Sequence, residues 1–80
     1  MTKPPIRAWM WADLLIAART RGKARLLLLD RYDAREFRSS DIRPYDGMIE
    51  YCNDDGEVVG EVDGANVESV WPNECIVTEF

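Results

Sequence analysis

The sequence predicts an α+β fold in which one N-terminal helix packs on a small, mostly antiparallel sheet of four or five strands. Three observations lead there. An Ala- and Leu-rich stretch between Pro5 and Gly22 has helical spacing of its apolar residues, the chain from Met48 onward alternates apolar with acidic residues, and the turn-forming Asn53-Asp54-Asp55-Gly56 cuts that alternation in two. Eighty residues, 46% hydrophobic and 31% charged, suit a single domain over 1–80 with a modest core, and no linker, repeat or low-complexity segment divides them.

The helix is expected over residues 8–21. Pro4 and Pro5 precede it, Ala and Leu fill it, and Gly22 follows where a left-handed cap residue belongs. Trp11, Leu14, Leu15 and Ala18 fall at i, i+3, i+4 and i+7 and would share the face that packs on the sheet. Trp9, Met10 and Ile16 lie off that stripe. This apolar surplus is either covered by an N-terminal arm or a second sheet layer, or it forms a partner surface. The run "ARLLLLDRY" at 24–32 reads as a short strand buried on both faces. Residues 33–47 then read as a connection with turn residues Ser39, Ser40 and Pro44.

In the hairpin around Asn53–Gly56, Ile49 and Tyr51 are expected to oppose Met48, Glu50 and Cys52. On its second strand, Val58 and Val62 oppose Glu57, Glu61 and Asp63, with Val59 among the acids. A further strand is expected over 67–71, a turn at Pro72-Asn73, and a last strand over 75–80. The ending "VWPNECIV" resembles the closing segment of SH3-type barrels, in which a short Pro-containing turn joins the last two strands. That resemblance implies a partly SH3-like strand arrangement. The aromatic pairs of an SH3 peptide groove have no counterparts here.

Few kinds of chemistry fit this residue inventory. Cys52 and Cys75 form no CxxC pair and the chain has no histidine, so neither zinc binding nor Cys/His catalysis is expected. The glycines at 22, 47, 56, 60 and 64 make no phosphate-binding loop. Asp54 and Asp55 are consecutive turn carboxylates that point in divergent directions into solvent and so do not form an acid–base pair, and the alternation Asn53, Asp55, Glu57 lacks the length and closing acid of a calcium loop. A non-enzymatic protein without metal or cofactor is expected. Asp13 interrupts the early apolar run, which is also too short to span a bilayer, so a cytoplasmic location without membrane contact is expected.

Charge segregation is the feature that calls for a function. All ten Lys and Arg residues lie at or before Arg43, whereas ten of the fifteen Asp and Glu residues lie from Asp46 onward. The segment "RYDAREFRSSDIRPY" interleaves arginines with aromatics, as single-stranded nucleic-acid binders do. Its own acids cancel most of that charge, and a net charge of −5 repels phosphate, so direct nucleic-acid binding is not expected. Glu50, Asp54, Asp55, Glu57, Glu61, Asp63 and Glu68 are instead the candidate partner-binding residues. On a sheet face, carboxylates two residues apart lie about 6.6 Å from each other and neighbouring strands add rows at about 4.8 Å. That approaches the phosphate spacing of about 3.4 Å along each strand of duplex DNA. Such a face suits protein grooves lined by Lys and Arg. The plainer alternative is a solvated outer face that discourages edge-to-edge pairing.

As a whole chain, this small acidic protein with a helix, a sheet, no catalytic motif and no targeting signal resembles the anti-CRISPR inhibitors of phages and mobile elements. Those proteins share no motif, so no residue role is carried over. The resemblance implies a cytoplasmic inhibitor in the host bacterium that binds a CRISPR–Cas surveillance complex or nuclease and keeps target DNA out. A monomer is expected. The alternative is an SH3-like adaptor or structural domain that binds a host protein through its apolar helix.

Overall fold

The computed structural model describes residues 3–79 and begins with a β-hairpin where the helix over 8–21 was expected. β1 (Arg7–Trp11) and β2 (Leu14–Ala18) pair antiparallel across Ala12-Asp13, with Trp9 opposite Ile16 and Met10 opposite Leu15. Burial on both faces explains the difference. Trp9, Leu14, Ile16 and Ala18 pack into one core cluster, while Ala8, Leu15 and Ala17 pack into another. A strand covered on both sides loses its polar alternation and reads as a continuous apolar run. The helix preference of Ala and Leu is worth at most about 0.7 kcal/mol per residue over other ordinary residues. Burying one large apolar side chain is worth about 1.5–3 kcal/mol. Packing therefore decides the backbone here.

The four-leucine run, expected as a strand, is helical. α1 (Arg21–Leu29) starts at Thr20, whose hydroxyl accepts from the Lys23 backbone N–H at 3.2 Å. Gly22 thus sits in the first turn of a helix and not after the end of one. Ala24 and Leu28 are buried, Leu27 and Leu29 partly so, and Leu26 faces solvent. A one-sided apolar stripe lets leucine follow its helical preference.

The connection over 33–47 holds two short 3-10 turns, Ala34–Glu36 and Ser39–Asp41. Asp33 caps the first by accepting from the Arg35 N–H, and the Glu36 carboxylate reaches back to the Asp33 N–H. The chain then forms β3 (Arg43–Pro44), β4 (Met48–Cys52), β5 (Val58–Asp63) and β6 (Cys75–Glu79). One sheet has the order β3-β1-β2-β6 and a second is the β4–β5 hairpin. The strand expected over 67–71 is a turn, closed by the Val70 and Trp71 N–H groups on the Val67 carbonyl. It drives Val67 into the core, fully buried beside Ile6.

The four-stranded sheet therefore lies between two covers. On one face, Ala24 and Leu28 of α1 together with Phe37 and Ile42 pack on Trp9, Leu14 and Ile16. On the other, Ile49 and Val62 of the β4–β5 hairpin pack with Ile6, Ala8, Leu15 and Val67. Backbone hydrogen bonds fix the hairpin's base to β1: the Ala8 N–H donates to the Gly64 carbonyl at 2.7 Å and the Tyr45 N–H to the Ala8 carbonyl at 3.0 Å. Gly64 itself donates to the Gly47 carbonyl at 2.9 Å.

Two substitutions test this architecture. Ala12 holds a left-handed φ of 50° in the β1–β2 link. Ala12→Gly is expected to raise the unfolding free energy by about 0.5–1 kcal/mol in urea titration, because glycine adopts that region without steric cost. At Gly64, an added Cβ would press on the backbone carbonyls of Tyr45 and Gly47. Gly64→Ala is expected to cost about 2 kcal/mol or more in the same titration, since backbone atoms cannot move aside cheaply.

Candidate functional site

The β4–β5 hairpin gathers most of the acidic candidates. Ile49 opposite Val62 and Tyr51 opposite Gly60 face the sheet, and the Tyr51 ring lies over Gly60, where an added Cβ would come within 2.8 Å of the ring carbon Cζ. The intervening pairs, Met48 opposite Asp63 and Glu50 opposite Glu61, therefore point outward. All four are exposed, so Glu50, Glu61 and Asp63 share one face as expected. Asp63 is also fixed in direction, because Oδ1 accepts from the Ala65 N–H at 2.9 Å.

At the tip, Asn53 organises the turn. Its side-chain oxygen accepts from the Asp55 and Glu57 N–H groups at 3.0 and 3.1 Å, and Gly56 supplies a φ of 84°. Asp54, Asp55 and Glu57 are exposed there. The structure thus brings Glu50, Asp54, Asp55, Glu57, Glu61 and Asp63 onto one hairpin, and none of them is in an ion pair among the described residues.

Glu68 does not join them. Its Oε1 lies 2.6 Å from Arg19 Nη2, and Glu74 accepts from the Arg19 backbone N–H at 2.9 Å. Arg19 also donates to the Pro4 carbonyl at 2.8 Å, so this cluster clamps the end of β2 to the turn before β6. Asp46 is likewise paired, with Arg7. Val58 departs from expectation in the other direction. A register irregularity between Tyr51 and Cys52 sets it opposite Cys52 and leaves Val59 unpaired beside it, so Met48 and Val58 are 58% and 56% exposed beside the acids while Val59 lies at the rim of the hairpin's other side. The alternation alone gave no sign of that irregularity.

The other surfaces weighed from the sequence are less available. Trp9 is buried, with its indole N–H donating to the Ala18 carbonyl at 3.0 Å and the Arg7 and Arg21 guanidinium carbons 5.4 and 5.7 Å from the ring centre. Met10 is half-buried against the hairpin cluster. In the arginine-rich segment, the Tyr32 and Phe37 rings pack 5.1 and 5.3 Å from Trp11, which removes them as stacking platforms. Arg35 lies 3.0 Å from Asp33; its side-chain hydrogen bond holds that carboxyl below the usual range and raises its own pKa.

No cluster that could hold a metal occurs among the described residues, and none of their helices is long and apolar enough to cross a membrane. Cys75 is half-buried and its thiol is pushed up by desolvation, whereas Cys52 is exposed on the hairpin. Comparison with protein-family models, with curated proteins and with solved structures finds no match.

Like charges directly across a ladder destabilise it by about 0.2–1 kcal/mol. Glu61→Lys turns the Glu50–Glu61 pair into an opposite-charge pair, and is expected to raise stability by about 0.5 kcal/mol at low ionic strength. The gain should shrink in high salt, as read from paired thermal melts.

Proposed function

We propose that this protein is a non-enzymatic inhibitor that covers a Lys/Arg-lined, DNA-gripping surface of another protein with its acidic β4–β5 hairpin. The anti-CRISPR resemblance supplies the target class, a CRISPR–Cas surveillance complex or nuclease in the cytoplasm of a host bacterium. The supporting observation is the in-register pair Glu50–Glu61, with Asp63 next along the same face and no cation paired to any of the three among the described residues. Such a pair costs stability in the free protein. A partner's arginines and lysines would supply the missing counter-charge.

The hairpin displays these carboxylates on a backbone tied to β1 at its base, which lowers the ordering needed there on contact. Residues that grip duplex backbone or read a short flanking motif would meet acids at spacings near those of phosphates. Met48 and Val58 add apolar contact within the same face, which charge alone does not give. Long-range attraction would speed encounter and make binding depend on salt. On this reading the protein acts as a monomer, without cofactor and without touching nucleic acid itself. The rival reading, an SH3-like adaptor that docks through an apolar helix over 8–21, has less support, because those residues form the β1–β2 hairpin and Trp9 is buried.

The test is capture on tagged protein from lysates of cells carrying CRISPR systems, with elution by a salt gradient, followed by DNA-binding competition with the recovered complex. Wild-type protein is expected to block DNA binding, with inhibition weakening as salt rises. The combined Glu57→Lys, Glu61→Lys and Asp63→Lys variant should inhibit at least about tenfold less while melting cooperatively. Wild-type inhibition by that folded variant would overturn the proposal.

A further inference from the structure

The underside of the same hairpin leaves a groove beside the sheet. Near the edge-to-face pair of Tyr51 and Trp71, whose ring centres are 6.5 Å apart, lies an open volume of about 600 Å³. Apolar Leu15, Ile49, Tyr51, Val70, Trp71 and Val77 form most of its wall. Among the described residues that line it, Glu50 alone is charged; its side chain points to the outer face, so its carboxylate stands at the groove's exposed rim, with Glu61 directly across the ladder. Sites that take a small ligand or a side-chain anchor have volumes of about 300–1,000 Å³ and mostly apolar walls.

We propose that this groove receives one apolar side chain, aromatic or long aliphatic, from an extended segment of a protein partner in which Lys or Arg residues flank that anchor. The walls select the apolar group. Glu50 and Glu61 select its neighbours, since they attract cations and repel acids at the rim. Val77 belongs to β6, one of the two edge strands of the four-stranded sheet. An extended segment can therefore lie along that edge while one of its side chains enters the groove. The identity of the partner rests on the acidic-hairpin reading; the chemistry of the groove does not. Charge gives fast encounter, whereas a buried anchor slows release.

The experiment is an NMR titration of the isotope-labelled full chain with three synthetic peptides: Arg-Lys-Phe-Lys-Arg, Arg-Lys-Gly-Lys-Arg and Ser-Gln-Phe-Gln-Ser. The first is expected to give saturable shifts at the Trp71 indole N–H and at the Tyr51 and Val77 amides, and the other two to bind at least about tenfold more weakly. Val59→Lys places a cation on the exposed rim and should weaken the first peptide by about tenfold while the rest of the spectrum is unchanged. No saturable shift at Trp71, Tyr51 and Val77 with the first peptide overturns the groove. Equal binding of the uncharged Phe peptide overturns the basic occupant. Shifts confined to Glu61 and Asp63 overturn the groove while leaving the acidic outer face standing, so the two readings fail separately.

Discussion

The β1–β2 hairpin has no solvent-facing side along β2, and the other elements are placed by that requirement. Leu14 to Ala18 are all buried, with side chains alternating between two separate core clusters. A bare sheet face here would expose Leu15 and Ala17 on one side and Leu14, Ile16 and Trp9 on the other, at a cost of about 25 cal/mol for each Å² of apolar area left in water. The α1 helix covers one side and the β4–β5 hairpin the other. Each cover is itself amphipathic. Because β-strand side chains alternate, fixing Ile49 and Val62 against Ala8 and Leu15 leaves Glu50 and Glu61 with only the outward direction. The acidic face is thus a geometric consequence of how the core is closed.

The same asymmetry decided which elements could be read from the chain. β4 and β5 each have one buried and one wet face, so their alternation and the Asn53–Gly56 turn were legible, whereas the register that pairs Glu50 with Glu61 came only with the fold. β1 and β2 were misread as a helix because burial on both faces erased the alternation, and Ala12-Asp13 lacks the glycine or asparagine that usually marks a two-residue turn. The leucines of α1 were misread for the converse reason: a four-residue apolar run carries too little period to separate helix from strand. Val58 was placed inward because a register irregularity leaves no trace in composition. Glu68 was counted with the patch because its partner, Arg19, is remote in sequence and reaches it only through the fold.

Segregation of charge along the chain is only partly segregation in space. At the seam between the basic and acidic halves, Arg7 meets Asp46 and Arg19 meets Glu68, so these two carboxylates are compensated where they touch the sheet. Such partly exposed pairs add little stability individually. Six acids of the β4–β5 hairpin, Glu50, Asp54, Asp55, Glu57, Glu61 and Asp63, have no ion-pair partner among the described residues. Ladder spacings of about 4.8–6.6 Å fall below the Debye length of about 8 Å at physiological salt, so the hairpin carboxylates act on a partner as a sum.

A two-stranded hairpin is marginal by itself, and this one keeps its shape by what it rests on. At its base that support is backbone bonding around Ala8, Gly47 and Gly64 together with Ile49 and Val62. Toward the tip it is Tyr51, packed over Gly60 and against Trp71 at the wall of the groove. The acids nearest the tip stand on the less supported half. A side chain seated between Tyr51, Trp71 and Val77 would add contacts beneath that half and restrict the motion of Glu50, Glu57 and Glu61 above it. The ordering of the acidic face and the filling of the groove are then coupled, because whatever stabilises one lowers the entropic cost of the other.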